Sequence, residues 1–451
     1  MDQRHVKERK RGLCIMKYQI ADIRGKNYIK VGASEEFFES QSEEDDFRAR
    51  ENLKKIIEPW LSAALQTDHL SMLIGAGFTT AVCQIASVSS SSMSTADFGA
   101  FDSKINSYAD KAATRLGRGK ANIEDQIRTA ISLLQGYEID GDEDNLKELG
   151  NCIDNVLSDF SDSILSSEYN LFTALKSKDN QTAQKAVAML KSFLLTFASR
   201  NATRERTHIF TTNYDRMIEY GCDLAGIKIL DRFWGKIIPQ FEESPSGIDY
   251  YYRTSDVKNE FRFAEGVVRY TKIHGSVDWY EEDGIVYRDA LRFGADKVHL
   301  PTGDSYKDHL MIYPNSMKSV ETAFYPYAEL FRDFSSAICR PNSTLFTYGY
   351  GFGDTHINKI IKEMLHSPST HIVIIAYSVD DRLEAFLKQI NMAQVTLLAG
   401  KEFASLENLV NYYLPKAAID TLTETASRLV EARKGYVEAR NGGESDNDAA
   451  V

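Results

Sequence analysis

The sequence predicts an α/β fold: a parallel sheet of about six strands, with helices on both faces and a helical module inserted into it. Three observations lead there. Short apolar runs alternate with segments of helical periodicity along most of the chain, the pattern of strand–helix–strand units and hence of a parallel sheet. One run, His371-Ile-Val-Ile-Ile-Ala376, is continuously apolar, as a strand covered on both faces should be. From about Phe101 to Ser199 the alternation stops and the chain reads as helix, with one glycine and no proline between Leu146 and Arg200.

In chain order, residues 1–50 read as an N-terminal extension in which IMKYQIADI and NYIKVG have the alternation of two short strands. Leu53, Ile56, Ile57, Trp60, Leu61 and Leu65 recur at helical spacing. Leu70 to Ile74 is an apolar strand that runs into Gly75-Ala76-Gly77. Residues 87–99 are Ser-rich and read as a loop or lid. In the helical module, 100–200, Ile123, Ile127, Ala130, Ile131 and Leu134 form one stripe, and Ala183, Val187, Leu190, Leu194 and Phe197 another. The sheet resumes at Thr207 to Asp215, with a helix from Arg216 to Ala225. Residues 226–270 form an aromatic insertion with a hairpin expected at Ile248 to Arg253. Another strand end is expected at Thr271 to Ser276, and further strands at Leu310 to Pro314, Ser343 to Gly349, His371 to Ala376 and Ala393 to Leu398. A helix is expected near Ile357 to Leu365. The whole of 51–400 thus reads as one Rossmann-like domain. Residues 401–440 form a C-terminal helical segment, with a long helix at about 416–439, and 441–451 a polar, disordered tail.

The 451-residue chain is 43% hydrophobic and 26% charged, with a net charge of −12. It lacks the basic balance that supplies affinity for phosphate backbones, so direct nucleic-acid binding is not expected. Five scattered cysteines, none in a C-x-x-C pair, give no structural zinc and suit a reducing compartment. No run approaches the length of a membrane span. The basic N-terminus lacks an apolar signal core, and a cytoplasmic location is expected. No G-x-x-x-x-G-K-[ST], G-x-S-x-G or H-E-x-x-H motif occurs.

Chemistry-bearing residues gather just after the apolar strands: Gly75, Ala76 and Gly77; Thr212, Asn213 and Asp215; His274; and Gly349, Gly351 and Gly353. In an open parallel sheet these ends share one ligand crevice. Glycines permit a tight turn and close backbone approach to a phosphate, or only an ordinary strand–helix turn. The Asn213 amide can hold a hydroxyl or a water, or can cap a helix. Asp215 has the same two readings. His274 is the best general-base candidate, because imidazole titrates near neutral pH. His356 is the alternative base. Asp354 suits a helix cap or a ligand contact. Glu124 and Asp125 suit a solvated acidic face.

The blocks G-A-G-F-T (Gly75 to Thr79), T-T-N-Y-D (Thr211 to Asp215), K-I-H-G-S (Lys272 to Ser276) and Y-G-Y-G-F-G-D-T-H-I-N (Tyr348 to Asn358) occur in this order. Together they resemble the NAD-binding and catalytic blocks of the sirtuin superfamily. The likeness is closer to its bacterial branch found in anti-phage defence than to the deacetylases. Asn122 to Asp125, Arg232 to Gly235 and Met311 to Pro314 fit that branch too, and the resemblance spans about Leu70 to Ala376. It implies a turn at Gly75, Ala76, Gly77 and Phe78 that cradles NAD+. It implies contacts from Thr212, Asn213 and Asp215 to the nicotinamide–ribose end, His274 as base, and Asp125 from a helix over the pocket. Phosphate and adenosine-ribose contacts would come from Gly349, Gly351, Gly353, Asp354 and Asn358. Thr212 stands where the family has Gln, the gap from Asn213 to His274 is far longer than in deacetylases, and the family's Cys-zinc module is missing. The expectation is therefore NAD+ hydrolysis to nicotinamide and ADP-ribose, without a metal. An NAD or ADP-ribose sensor, or an NAD-dependent deacylase or ADP-ribosyltransferase, is the alternative. The resemblance further implies a homo-oligomer and a defence partner such as a HerA-type hexameric ATPase or a short Argonaute. Residues 1–50 and 416–439 are the candidate assembly surfaces.

Overall fold

The computed structural model describes residues 18–40, 42–91, 95–115, 120–243, 249–253, 261–296, 310–312 and 325–416. Its centre is a nine-stranded sheet. Strands β1 (Asn27–Val31) and β2 (Ser34–Phe38) form a hairpin at one edge. Then follow β3 (His69–Ile74), β4 (His208–Thr211), β5 (Lys228–Leu230), the short β6 (Phe233–Trp234) and β7 (Gln240–Phe241), β8 (Tyr251–Arg253), β9 (Phe261–Phe263) and β10 (Val267–Lys272). The remaining strands are β11 (Gly275–Glu282), β12 (Ile285–Arg288), β13 (Leu310–Ile312), β14 (Ser343–Tyr348), β15 (His371–Ala376) and β16 (Val395–Ala399). The large sheet has the order β2-β1-β16-β15-β14-β3-β4-β10-β5. All pairings from β16 to β5 are parallel, and only the β1–β2 hairpin and its junction with β16 are antiparallel.

Helices cover both faces, as expected. On one side lie α1 (Glu43–Leu65), α2 (Gly77–Ile85), α6 (Gln181–Ala198) and α7 (Met217–Ala225), sharing a core around Phe78, Phe193, Phe197 and Ile209. On the other lie α8 (Tyr327–Ile338), α9 (Thr355–Met364) and α10 (Asp381–Leu387), packed on Phe210, Phe334, Ile357 and Ile374. Each fully buried Leu, Ile or Phe is worth about 1.5–3 kcal/mol of transfer free energy, so these layers anchor the strand ends that carry the polar residues. Helices α3 (Asp102–Arg115), α4 (Ile123–Asp140) and α5 (Glu143–Lys176) form a separate apolar cluster that includes Tyr214 and Val277. This cluster leans on the ends of β4 and β11 rather than on the sheet face.

Three expectations need correction. The segment expected as the first strand instead holds a 3-10 turn, Ile20–Ile23, anchored by buried Ile23 and ended by Gly25 in the left-handed region; residues 15–17 lie outside the described residues. The expected strand at Leu310 is present, but it pairs antiparallel with β11 in a second, five-stranded sheet, β13-β11-β12-β7-β6. Apolar content marks a short strand without naming its partner. The expected hairpin is the β8–β9 pair, whose second strand lies beyond the stretch at Ile248 to Arg253. Residues 417–439, expected as a long helix, and the tail fall outside the described residues.

Candidate functional site

Reading outward from β3, the chain lays β4, β10 and β5 on one side and β14, β15 and β16 on the other. The direction of winding therefore reverses between β3 and β14, the place where open α/β sheets bind ligands beyond the carboxyl ends of their strands. A cavity of about 520 Å³ opens there, lined by Gly75 and Ala76 after β3, Thr212 to Asp215 after β4, His274 after β10, and Gly349 to Gly351, Gly353 and Asp354 after β14. Its volume is within the range of small-molecule sites. A neighbouring cavity of about 750 Å³ shares Thr80, Ser90 and Gly349 with it and extends past Gly77 toward Tyr377 and Lys401.

The glycines fit two turns tightly together. The Gly75 N–H donates to the Tyr348 carbonyl and the Gly77 N–H to the Gly349 carbonyl. A Cβ on Gly75 would lie 2.5 Å from the Gly349 oxygen, and one on Gly349 would lie 2.5 Å from the Phe78 nitrogen. Gly349 also has φ +64°, a conformation that costs any other residue. The close approach that these glycines allow is thus first of all between the two strand-end turns. Gly351 differs: a Cβ there would meet nothing within 4 Å.

Beside this turn runs a buried polar chain. The Asn213 side-chain nitrogen donates to Thr79 Oγ1 over 3.2 Å, and Thr79 donates to Asp215 Oδ2 over 2.8 Å. Asp215 Oδ1 accepts the Met217 N–H at the start of α7. Both Asp215 oxygens are thereby engaged, so Asp215 fixes Thr79, and Thr79 fixes the Asn213 amide. The Asn213 oxygen Oδ1 is buried and has no hydrogen-bond partner. A buried acceptor left open at a cavity wall is what a ligand or water donor would satisfy.

His274 is buried, with Nε2 3.0 Å from Asp354 Oδ2. The other oxygen of Asp354 accepts the N–H groups of His356 and Ile357 at the start of α9. Asp354 therefore holds the ring from a rigid helix end, the arrangement by which a carboxylate fixes an imidazole's tautomer and orientation. The opposite wall comes from the helical cluster. Glu124, Asp125 and, from α5, Phe160, Ser163 and Ile164 line the cavity. Asp125 closes a capping box with Asn122. Tyr214 donates to Glu124 Oε1 over 3.0 Å, and burial first, then Glu124, push its phenol well above the usual range. It remains a neutral donor that ties the helical wall to the β4 turn.

Of the residues expected at the site, Gly75, Ala76, Thr212, Asn213, Asp215, His274, Asp125, Gly349, Gly351, Gly353 and Asp354 line this cavity. Gly77 lines the neighbouring one. Phe78 does not line it; it is wholly buried against Phe193 and Tyr348. Asn358 is spent inside the protein, donating to the Phe352 carbonyl and accepting from Tyr350. His356 is not among the lining residues. Arg232 and Phe233 belong to a different cavity. Three contributors went unassigned in the sequence. Thr79 lies two residues past Gly77 in α2, and Tyr214 sits inside the T-T-N-Y-D block. Arg382 reaches the cavity from α10 beside Gly353, and no local pattern announces it.

Residues 207–394 match the SIR2-like domain family model. No curated protein matches the chain. The matched span holds Asn213, Asp215, His274, Asp354 and the Gly349–Gly353 turn, while Gly75 to Phe78 and Asp125 lie before it. SIR2-like domains are in general NAD-dependent enzymes, and the match supports a sirtuin-like character and NAD use in that general sense.

Proposed function

We propose that the protein hydrolyses NAD+ to nicotinamide and ADP-ribose. The observation that carries this reading is the convergence of the open Asn213 Oδ1 and the carboxylate-backed His274 on one cavity at the sheet's switch point. The residues suit the substrate. Asn213 Oδ1 would accept a hydroxyl of the nicotinamide ribose or a proton of the attacking water. The adenosine end would extend past the glycine turn into the neighbouring cavity through Thr80 and Gly349. In the reaction the bond between the ribose C1′ and the nicotinamide nitrogen breaks, and its electron pair neutralises the pyridinium. The water oxygen bonds to C1′, and its proton passes to His274. Asp354 stabilises the resulting imidazolium, and the proton then leaves to solvent. Asp215 acts through Thr79 to keep the Asn213 amide in place. Acid–base help supplies about 10²–10⁴-fold, and orientation of water against ribose adds to it.

On the resemblance in the sequence we further propose that the activity is a gated effector of anti-phage defence. Such a protein would work as a homo-oligomer with a partner such as a HerA-type ATPase, since unchecked NAD+ depletion would harm the host cell.

The test is NAD+ consumption by the purified protein beside Asn213→Ala and His274→Ala, with nicotinamide and ADP-ribose quantified. Turnover in the wild type that both substitutions abolish supports hydrolysis. NAD+ binding without turnover would favour a sensor or an enzyme awaiting its partner. Absence of binding would overturn the reading.

A further inference from the structure

The same two chain segments that line the proposed catalytic cavity also line a second one of about 650 Å³. Asp215 and His274 face the first; Arg216, Lys272 and Asp278 face the second. Its walls come from α7, β5, β10 and the antiparallel sheet, and include the aromatic rings of Phe233, Phe241 and Trp279.

The charges around this cavity are unevenly matched. Arg216 is held by Glu168 at 2.6 Å and by the Leu291 and Arg292 carbonyls. Arg232 is held by both oxygens of Asp333 and by the Glu242 and Glu243 carbonyls. Lys272 donates to the Tyr214 and Asp215 carbonyls and to Glu219, and Arg288 pairs with Asp231. These four cations are thus taken, and the fifth that lines the cavity, Lys228, lies 5.3 Å over the Tyr250 ring rather than beside a carboxylate. Asp278 lies close enough for its charge to act on Arg216, but it makes no such bond: the residue is 8% exposed, it lines the cavity, and its Oδ1 is buried with no hydrogen-bond partner. Burial raises the carboxyl of nearby Glu219, and the charge of Asp278 adds to that rise. A buried carboxylate oxygen without a donor is a standing cost that a bound cation would relieve.

We propose that this second cavity binds a small organic cation, an alkyl-ammonium or guanidinium on a short apolar stem, whose head donates to Asp278 while Trp279 and Phe241 flank the stem. Among the described residues no group of three metal-ligating side chains occurs, and the volume far exceeds that of a bare ion, so an organic cation fits better than a metal. The site is joined to the proposed reaction by Lys272, whose ammonium grips the carbonyls of Tyr214 and Asp215 at 3.2 and 2.5 Å and Glu219 at 3.0 Å. A cation beside Asp278 and Glu219 competes for that carboxylate and so shifts Lys272 and the β4 turn. This coupling, unlike the binding itself, rests on the NAD+ reading.

Calorimetric titration of the full chain with agmatine, a guanidinium and an ammonium joined by a butyl stem, alongside butylurea, which carries neither charge, tests the proposal. Agmatine should bind at one site and butylurea should not. Asp278→Asn, which keeps the shape and removes the charge, should weaken agmatine at least tenfold and melt no lower than the wild type. Asn213→Ala should leave agmatine affinity unchanged. No agmatine binding to the wild type, equal binding of butylurea, or undiminished affinity in Asp278→Asn overturns the cation site. NAD+ titrated separately keeps the two readings apart: agmatine binding with no NAD+ binding sinks the proposed function alone, and the converse sinks the cation site alone.

Discussion

At the carboxyl edge of the sheet His274 sits beside a carboxylate, whereas at the amino edge His208 and His371 open β4 and β15 beside threonines. His208 Nε2 lies 2.8 Å from Thr271 Oγ1, and its ring stacks on Phe210 at 3.8 Å. His371 lies 2.8 Å from Thr396 Oγ1. Burial drives these two imidazoles down to about 3 and about 4. With a hydroxyl for a partner and burial against its charged form, such a ring stays neutral and serves as a fixed strut. A ring backed by Asp354 can hold the charge it gains when it takes a proton. The two edges differ in another respect. At the carboxyl edge an acceptor, Asn213 Oδ1, is left open; at the amino edge Glu205 binds both His69 and Arg340. The same residue type thus serves as a strut or is placed to hold a proton according to what faces it.

The largest expected effect separates the edges directly. His274→Asn should lower NAD+ turnover by about 10²–10⁴-fold, on top of the stability lost with its buried bond to Asp354. His208→Asn should keep turnover and lose about 1–2 kcal/mol of stability, the cost of a disrupted buried hydrogen bond, read from urea denaturation. Equal losses of turnover in both would erase the distinction. Next come the glycines. Gly349→Ala meets both a positive φ and the Phe78 nitrogen, and should cost about 3 kcal/mol or more. Gly351→Ala, in open space, should stay within about 0.5 kcal/mol and instead raise KM if that turn approaches the substrate. A smaller effect is expected at Thr79→Val, which cuts the bridge between Asn213 and Asp215. About 1 kcal/mol of stability should go, together with about a tenfold fall in kcat at unchanged KM, since proper orientation is what is lost. A change in KM alone would place Thr79 in binding.

Much of this was legible before any coordinates. The strand ends bearing Gly75, Asn213, His274 and Gly349 were readable because buried parallel strands are continuous apolar runs with polar residues at their tips. The likeness of the ordered blocks then grouped them. What stayed hidden depends on contacts between segments distant in sequence. The pairing of His274 with Asp354 joins the tip of β10 to the start of α9, and nothing in either segment names the other. Asp354 was readable as a helix cap, and it does cap; its second oxygen is what the sequence could not assign. Phe78 and Asn358 were carried along by their motifs, yet the fold spends one on the core and the other on the Phe352 turn. The second cavity was invisible because it depends on which of many charged side chains pair off and which, like Asp278, do not.

A further effect concerns the struts themselves and appears as a pH dependence of stability. In the unfolded chain a histidine titrates near 6.5; folded, His371 and His208 are held down to about 4 and about 3. Above pH 6.5 neither state binds these protons, so the neutral struts contribute in full. As pH falls below 6.5 the unfolded chain takes up two protons that the folded chain refuses, and stability must fall. Each histidine then costs about 1.4 kcal/mol per pH unit. The His371 contribution levels off near pH 4, where the folded ring protonates, and that of His208 continues to about pH 3. Carboxylates add their own slope at the lower end of this window, so the informative quantity is a difference. Urea midpoints at pH 7.5, 6.5 and 5.5 should fall more steeply for the wild type than for the His208→Asn, His371→Asn double variant. Parallel curves would mean that the amino-edge rings take protons in the folded state. The contrast between a strut and a base would then rest on Asp354 alone.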